Sequence, residues 1–157
     1  RITEFVEVVG RWAGAVTTAC IGRDARLQFQ LQGGSLDPHQ QDLHEARMSA
    51  EIAAFARRLA GAWSAETARA WREDDPARGQ CSVNALVAQD LFGGTILKTR
   101  IGPAWHFYNR FDGARHDFTA SQFAAPTAYE DIEATRAEAF ADTSPAQYEA
   151  LRQSLSS

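Results

Sequence analysis

The chain lacks the features that mark several large classes of protein. It has only two cysteines in 157 residues, too few for a disulfide framework, and a bridge between Cys20 and Cys81 is not expected. No apolar stretch reaches about 18 residues without a charge, which argues against a membrane-spanning helix. No basic run occurs and the net charge is −4, so neither nucleic acid nor an anionic membrane is expected as the main partner.

What remains is the composition of an ordinary globular domain. Hydrophobic residues make up 45% of the chain and charged residues 23%. A chain of this length buries roughly 68–70% of its unfolded surface without staples, so we expect a single domain over residues 1–157. No signal peptide is recognisable, although the chain starts at Arg1 rather than at methionine. The scarcity of cysteine favours a cytoplasmic location.

Hydrophobic periodicity and turn residues predict an α+β fold. Residues 1–34 are rich in Val, Thr and Ile and are broken by glycines, which favours a β-rich N-terminal segment. Residues 38–125 are expected to form the core, and residues 126–157 a helical C-terminal segment. The predicted elements are strands near 4–9, 15–21 and 26–32, helices over about 38–63, 80–92, 129–140 and 144–155, a short helix capped by Ser64, and strands 95–101, 104–111 and 114–119.

One cysteine lies where a helix is predicted to begin. Cys81 follows a loop with Pro76 and Gly79, and it opens an apolar run of helical spacing that ends at Gly93-Gly94. The unpaired N–H groups and the dipole at a helix N-terminus favour a thiolate, so Cys81 is a candidate nucleophile. The alternative is that Cys81 is a small core residue, since free cysteine is among the most buried residue types.

A predicted hairpin places a histidine and a carboxylate on one face of a sheet. A two-residue Asp-Gly turn at 112–113 pairs residue 111 with residue 114 and, counting outward, Tyr108 with Asp117. Because strand side chains alternate, His106 and Asp117 are then diagonal neighbours on one face, about 7–8 Å apart at the backbone. The other face is mostly aromatic and is expected to pack on the core; it carries Trp105, Phe107, Asn109, Phe111, His116 and Phe118.

These residue types point to thiol chemistry. Asp117 would accept a hydrogen bond from one ring nitrogen of His106 and fix its tautomer. The other nitrogen could then exchange a proton with Cys81. Each residue also has a purely structural interpretation: His106 as a hydrogen-bonded residue of the sheet, and Asp117 as an ion-pair partner of Arg110 or Arg115 on the same face.

No metal ion or organic cofactor is expected. A zinc site that used Cys81 and Asp117 would need His106 and His116 on the same side of the hairpin, and the predicted register forbids this. His116 is therefore assigned a structural role on the aromatic face.

Several motifs, taken in order, resemble the YunG-like family of bacterial proteins. They are Gly79-Gln80-Cys81, then Ala85-Leu86-Val87-x-Gln89-Asp90-x-Phe92-Gly93-Gly94, then His106-x-x-Asn109, then Asp117-Phe118-Thr119-x-x-Gln122-Phe123, and they lie within residues 63–125. The family name by itself implies no substrate. More distantly, the order Gly-Gln-Cys, His and Asp is similar to transglutaminase-like and papain-like cysteine enzymes.

The distant resemblance implies a papain-like or transglutaminase-like core, in which the helix that carries the nucleophile packs on an antiparallel sheet. It also implies Cys81 as the nucleophile, His106 as the base and Asp117 as the orienting acid. The first candidate for an oxyanion donor is the N–H of Cys81. Further candidates are the side chains of Gln80, Asn84 and Gln122 as oxyanion donors or supports, and Tyr108 and Trp105 as walls of a substrate cleft.

The leading hypothesis is a cysteine hydrolase or acyl transferase that acts on an amide or isopeptide bond of a protein or peptide. Deamidase or transglutaminase-type activity is an alternative with the same residues. Two rivals lie outside catalysis: an interaction domain that retains the fold, and an immunity or scaffold protein that binds through its acidic C-terminal helices. The oligomeric state is left open.

Overall fold

The computed structural model describes residues 37–156. Contacts between residues group the chain into two compact units, residues 1–48 and residues 49–157. The β-rich segment predicted over residues 1–34, with Cys20, lies outside the described residues, and the single domain stays a prediction. No helix of the described part is long and apolar enough to cross a membrane. The elements are helices α1 (Pro38–Ala62), α2 (Cys81–Phe92), α3 (Arg136–Asp142) and α4 (Pro145–Ser156), strands β1 (Thr95–Ile101), β2 (Ala104–Phe111), β3 (Ala114–His116) and β4 (Ile132–Ala134), and a 3-10 helix at Ala120–Gln122.

A four-stranded antiparallel sheet confirms the α+β class. Its strand order is β3-β2-β1-β4. The bounds predicted for β1 and β2 are those that the structure has, and the two strands pair from Thr95↔Arg110 to Ile101↔Ala104. β2, which carries His106, is therefore an inner strand with a hydrogen-bonded neighbour on each side.

Helix α2 is buried on all sides over its first eight residues, 81–88. One side joins α1 and α4 in an apolar cluster, and the other side joins the sheet and α3 in a second cluster. This burial explains why α2 is apolar all round rather than amphipathic. The members from α2 are Val83, Val87 and Ala88 in the first cluster and Cys81, Ala85 and Leu86 in the second.

The turn between β2 and β3 has the geometry that its sequence predicts. Asp112 and Gly113 have positive φ angles of 50° and 75°, which the two central residues of a type I′ hairpin turn require. The predicted register is confirmed by the pairs Phe111↔Ala114, Arg110↔Arg115 and Asn109↔His116.

The third strand is shorter than predicted. β3 ends at His116, so the strand over 114–119 and its pairing of Tyr108 with Asp117 are wrong. The Asp117 carboxylate accepts from the N–H and the hydroxyl of Thr119, at 2.9 and 3.1 Å. Such a local turn competes with strand pairing, and the chain leaves the sheet here.

The C-terminal segment is not wholly helical. Residues 132–134 form β4, which pairs with β1, although a helix over about 129–140 was predicted. Helix α3 starts after a capping box: the Thr135 hydroxyl accepts from the Glu138 N–H, and the Glu138 carboxylate accepts from the Thr135 N–H. The Thr-x-x-Glu spacing is a sequence signature of a helix start, and it could have placed this boundary. The helix predicted over 144–155 is confirmed as α4.

The short helix predicted after Ser64 is also wrong, since residues 65–79 form turns and an isolated bridge between Arg72 and Asp75. The Ser64 carbonyl accepts from the N–H groups of Thr67 and Ala68, at 3.1 and 3.2 Å. This one turn is not continued, because a helical nucleus is costly and little sequence remains before Pro76.

We expect Gly94→Ala to destabilise the fold more than Gly102→Ala. Both glycines have positive φ, 74° and 58°, so alanine costs each site about 1–2 kcal/mol of backbone strain. At Gly94 an added Cβ would also lie 2.2 Å from the Arg110 carbonyl oxygen, whereas at Gly102 it meets no described atom within 4 Å. That clash adds about 1–3 kcal/mol. Urea unfolding measures both variants, and equal unfolding free energies would contradict the close approach of the α2–β1 connection to β2.

Candidate active site

The thiol lies at the start of a buried helix, as predicted. Cys81 is the first residue of α2 and is 8% exposed. The N–H of Asn84 donates to the carbonyl of Gln80 at 2.9 Å, which opens the helical ladder. The N–H groups of residues 81–83 precede that bond and have no acceptor within the helix. They and the helix dipole therefore place positive potential beside the sulfur.

A histidine and a carboxylate meet at hydrogen-bond distance beside β2. His106 Nε2 lies 2.7 Å from Asp117 Oδ2, and the two side chains are 2% and 5% exposed. The sequence placed the two side chains close together on one face, but the backbone route differs, because Asp117 lies beyond the end of β3. Since Asp117 bonds to Nε2, the nitrogen Nδ1 is left for another partner.

The carboxylate of Asp117 is held by four donors. Its Oδ2 accepts from His106 and from the hydroxyl of Tyr129, at 2.7 and 2.8 Å. Its Oδ1 accepts from the N–H and the hydroxyl of Thr119, at 2.9 and 3.1 Å. With both oxygens occupied, the carboxylate cannot rotate freely, and its orientation toward His106 is fixed.

The arginines on the same face of the hairpin bind a different carboxylate. Arg110 and Arg115 both form ion pairs with Asp131, and Arg115 Nε donates to Asp131 Oδ1 at 2.7 Å. The alternative in which Asp117 serves as the ion-pair partner of one of these arginines is therefore wrong.

The side chain of Cys81 is one of the neighbouring groups that raise the pKa of His106. Within residues 37–156, however, Nδ1 of His106 has no hydrogen-bond partner. Hydrogen bonds of catalytic groups are often long or poorly aligned before a substrate binds. Cys81, His106 and Asp117 thus form one cluster.

The surroundings of His106 favour its protonated form. Burial by itself lowers its pKa, but the hydrogen bond and charge of Asp117 and the nearby Cys81 side chain outweigh burial and raise the pKa to about 9. For Asp117, burial acts to raise the pKa, yet the bonds from His106, Tyr129 and Thr119 hold it below its ordinary value. At neutral pH the two groups are therefore an imidazolium–carboxylate pair.

Two amide side chains next to Cys81 in the chain are buried and incompletely hydrogen bonded. Gln80 is 0% exposed, and neither Oε1 nor Nε2 has a partner in the described part of the chain. Asn84 Oδ1 accepts from Trp63 Nε1 at 3.2 Å, while its Nδ2 has no partner among the same residues. Buried amide groups are usually hydrogen bonded, so these unpaired atoms set Gln80 and Asn84 apart from most of the other buried polar side chains.

The other predicted site residues are already engaged. Gln122 Nε2 donates to the carbonyl of Thr119 at 3.0 Å and so braces its own turn. Tyr108 is 2% exposed and exchanges hydrogen bonds with Asp131, at 2.9 and 3.0 Å. Trp105 is half-buried beneath two cationic side chains. These contacts shape the surroundings of the cluster, and the groups that make them are not free donors.

His116 lies among aromatic rings, as predicted. Its ring stacks on Phe111 with the centroids 4.0 Å apart, and burial lowers its pKa. Nowhere between residues 37 and 156 do three His, Cys, Asp or Glu side chains gather in a way that could hold a metal ion.

Sequence reasoning missed three residues of the site. Thr119 and Tyr129 donate to Asp117, and Phe123 packs edge-on against His106 with the ring centroids 4.7 Å apart. The Asp-x-Thr spacing is typical of a turn closed by an aspartate side chain, so it could have indicated Thr119. Nothing local indicates Tyr129, because its contact with Asp117 arises only in the tertiary fold.

A protein-family model described as "YunG protein" matches residues 51–157 of the chain. The chain belongs to the YunG family. The match extends well beyond the motifs within residues 63–125 that carried the resemblance. One relative, "Uncharacterized protein YunG" of Bacillus subtilis (strain 168), is 50% identical over 98 residues, which are 62% of this chain and 85% of that protein. No solved structure matches the chain. For this YunG family member, the likeness to papain-like and transglutaminase-like enzymes and the cytoplasmic location stay predictions.

We expect the imidazole of His106 to titrate near pH 9 in an NMR experiment, and at lower pH in the Cys81→Ala variant. The Cys81 side chain is one of the groups that raise this pKa, so its removal should lower the midpoint. The resonance is assigned by its loss in His106→Gln. An unchanged midpoint in Cys81→Ala would show that the sulfur does not interact with the ring.

The same titration predicts how stability depends on pH. Because the pKa of His106 is raised from 6.5 to about 9 in the folded protein, protonation stabilises the fold fully below pH 6.5. That stabilisation is lost as the pH rises through the folded value. As the pH rises from 6.5 to about 9, the free energy of unfolding, measured by urea unfolding, should therefore fall more in the wild type than in His106→Gln.

Proposed function

We propose that Cys81, His106 and Asp117 are the catalytic residues of a cysteine hydrolase or acyl transferase that acts on an amide or isopeptide bond. The observation that carries the proposal is the buried 2.7 Å contact of His106 with Asp117. It leaves Nδ1 of the imidazole unpaired on a ring that interacts with Cys81. The chain order Gly-Gln-Cys, His, Asp also resembles papain-like and transglutaminase-like enzymes.

The proposed reaction has two stages. In the first, the thiol proton already rests on Nδ1 of the His106 imidazolium, Sγ of Cys81 attacks the carbonyl carbon as the thiolate, and a C–S bond forms. The ring then gives this proton to the leaving nitrogen as the C–N bond breaks, which leaves a thioester on Cys81. In the second stage, water or an acceptor amine attacks the thioester and loses its proton to Nδ1, and the C–S bond breaks with the thiolate of Cys81 as the leaving group, which restores the starting state.

His106 and Asp117 have separate tasks in this scheme. Nε2–H donates to Asp117 throughout, so Nδ1 keeps its orientation while it gains and loses the proton. The pKa of about 9 at His106 keeps the proton on the ring once the sulfur has surrendered it. The lowered pKa of Asp117 keeps its carboxylate charged beside that imidazolium.

The oxyanion of the tetrahedral intermediate needs fixed donors. The N–H of Cys81 at the helix N-terminus is the first candidate, and the side chain of Gln80 is the second. Gln80 supports this role because it is fully buried, precedes the nucleophile and has both amide atoms unpaired among residues 37–156. Because Nε2 of Gln80 has no partner among these residues, its N–H groups are available to the oxyanion.

The alternative without catalysis is an interaction domain that keeps the fold. The observation in its favour is the 8% exposure of Cys81, which limits access of a substrate to the sulfur. A substrate panel separates the two, because only the enzyme turns over substrate at Cys81. It also separates hydrolysis from deamidation and transfer, since the products differ.

Cys81→Ala is expected to lower turnover of fluorogenic peptide amides and ubiquitin-like substrates by about 10³-fold or more, because the nucleophile is lost. Ser82→Ala is the matched control. The Ser82 hydroxyl donates to Asp142 at 2.6 Å and has no role in the scheme, so turnover should stay near that of the wild type. Turnover that survives in Cys81→Ala contradicts the proposal, and a wild type inactive on the whole panel favours the interaction domain.

Gln80→Ala is expected to lower kcat about 10²-fold with little change in KM, because an oxyanion donor acts mainly in the transition state. Gln89→Ala on the same helix is the control, since Gln89 Nε2 donates to the Gly94 carbonyl at the far end of α2. An equal loss in both variants, or a loss confined to KM, would remove Gln80 from the reaction.

A further inference from the structure

Residues 123–131, called the strap below, contact the face of the sheet that carries His106. Phe123 packs edge-on against the His106 ring with the centroids 4.7 Å apart. Tyr129 packs edge-on against Tyr108 with the centroids 4.9 Å apart. These rings help to cover the His–Asp pair: the side chain of His106 is 2% exposed and that of Asp117 is 5% exposed. The strap therefore shields the His–Asp pair from water.

The backbone on both sides of Tyr129 is anchored to the sheet. The hydroxyl of the buried Thr99 donates to the Ala128 carbonyl at 3.0 Å and accepts from the Glu130 N–H at 3.1 Å. One residue later, the Asp131 N–H donates to the Tyr108 hydroxyl at 2.9 Å. The position of the Tyr129 ring thus follows from a fixed framework, which is what a preorganised donor requires.

We propose that Tyr129 is a positioning residue for the reaction at Cys81. Its hydroxyl donates to Asp117 Oδ2 at 2.8 Å, and His106 Nε2 shares that oxygen at 2.7 Å. Tyr129 thereby fixes which lone pair of the carboxylate faces the imidazole and limits how strongly the carboxylate holds the ring proton. The proposal rests on the proposed function of the cluster, but its geometry is independent of any substrate.

A measurable consequence follows for His106. A second donor on Oδ2 takes up part of the charge that would otherwise act on the imidazolium alone. Without the Tyr129 hydroxyl, Asp117 should attract the ring proton more strongly. Burial and Asp117 raise the pKa of Tyr129 itself to about 12, so its hydroxyl keeps its proton while His106 titrates. The other titratable or charged groups that face this set are Cys81 from α2, Tyr108 from β2, and Arg115 from β3, over the Tyr129 ring.

The test compares Tyr129→Phe with Tyr148→Phe by NMR titration of His106. Each variant removes one phenol hydroxyl whose pKa burial raises, but the Tyr148 hydroxyl donates to Asp90 rather than to Asp117. We expect the His106 midpoint to rise by about 0.5 pH unit in Tyr129→Phe, since one donor to its carboxylate is gone, and to stay unchanged in Tyr148→Phe.

A midpoint that does not move in Tyr129→Phe, or that moves equally in Tyr148→Phe, overturns the positioning role and leaves Tyr129 as a packing residue of the strap. If Tyr129→Phe does not fold, the Tyr129 hydroxyl resonance of the wild type is followed instead. It should shift as His106 loses its proton, and a constant shift overturns the proposal. Neither readout uses turnover, so this outcome is separate from the result with Cys81→Ala.

Discussion

The buried hydrogen bond between His106 and Asp117 is the interaction on which the rest of the site depends. Two charges taken out of water are costly, and the cost is offset only when the remaining hydrogen-bonding positions are filled. Here Thr119 and Tyr129 fill those of the carboxylate. The turn after β3 and the strap are therefore needed to keep the pair ionised, and the pair in turn aims Nδ1 away from Asp117.

Helix α2 supplies the other half of the arrangement. It is packed between two apolar clusters, so its N-terminus cannot move far without disturbing both. The same burial that holds Cys81 in place also isolates the amide of Gln80 from solvent. Packing and chemistry are therefore set by one element, because the apolar residues of α2 fix the backbone at which Cys81 stands.

The parts of the fold that local sequence determines were predictable. The strands 95–101 and 104–111 and the Asp-Gly turn follow from alternation and turn chemistry over a few residues. β4 was missed because it exists only by pairing with β1, about 35 residues earlier in the chain. The strand that was predicted to carry Asp117 is too long, yet the predicted proximity of Asp117 to His106 holds. Asp117 follows the end of β3, and its side chain still extends to the imidazole. The burial of Gln80 and the reach of Tyr129 depend on tertiary packing, which a single sequence does not reveal.

The most direct test of the Cys81–His106–Asp117 cluster is the rate at which iodoacetamide alkylates Cys81 at neutral pH. Peptide mapping by mass spectrometry separates Cys81 from Cys20. We expect the wild-type sulfur to react at least about tenfold faster than the sulfur of His106→Gln or Asp117→Asn, since a braced imidazolium favours the reactive thiolate. Equal rates in all three proteins, or a wild-type sulfur that reacts only after unfolding, would contradict the claim that the three groups act together.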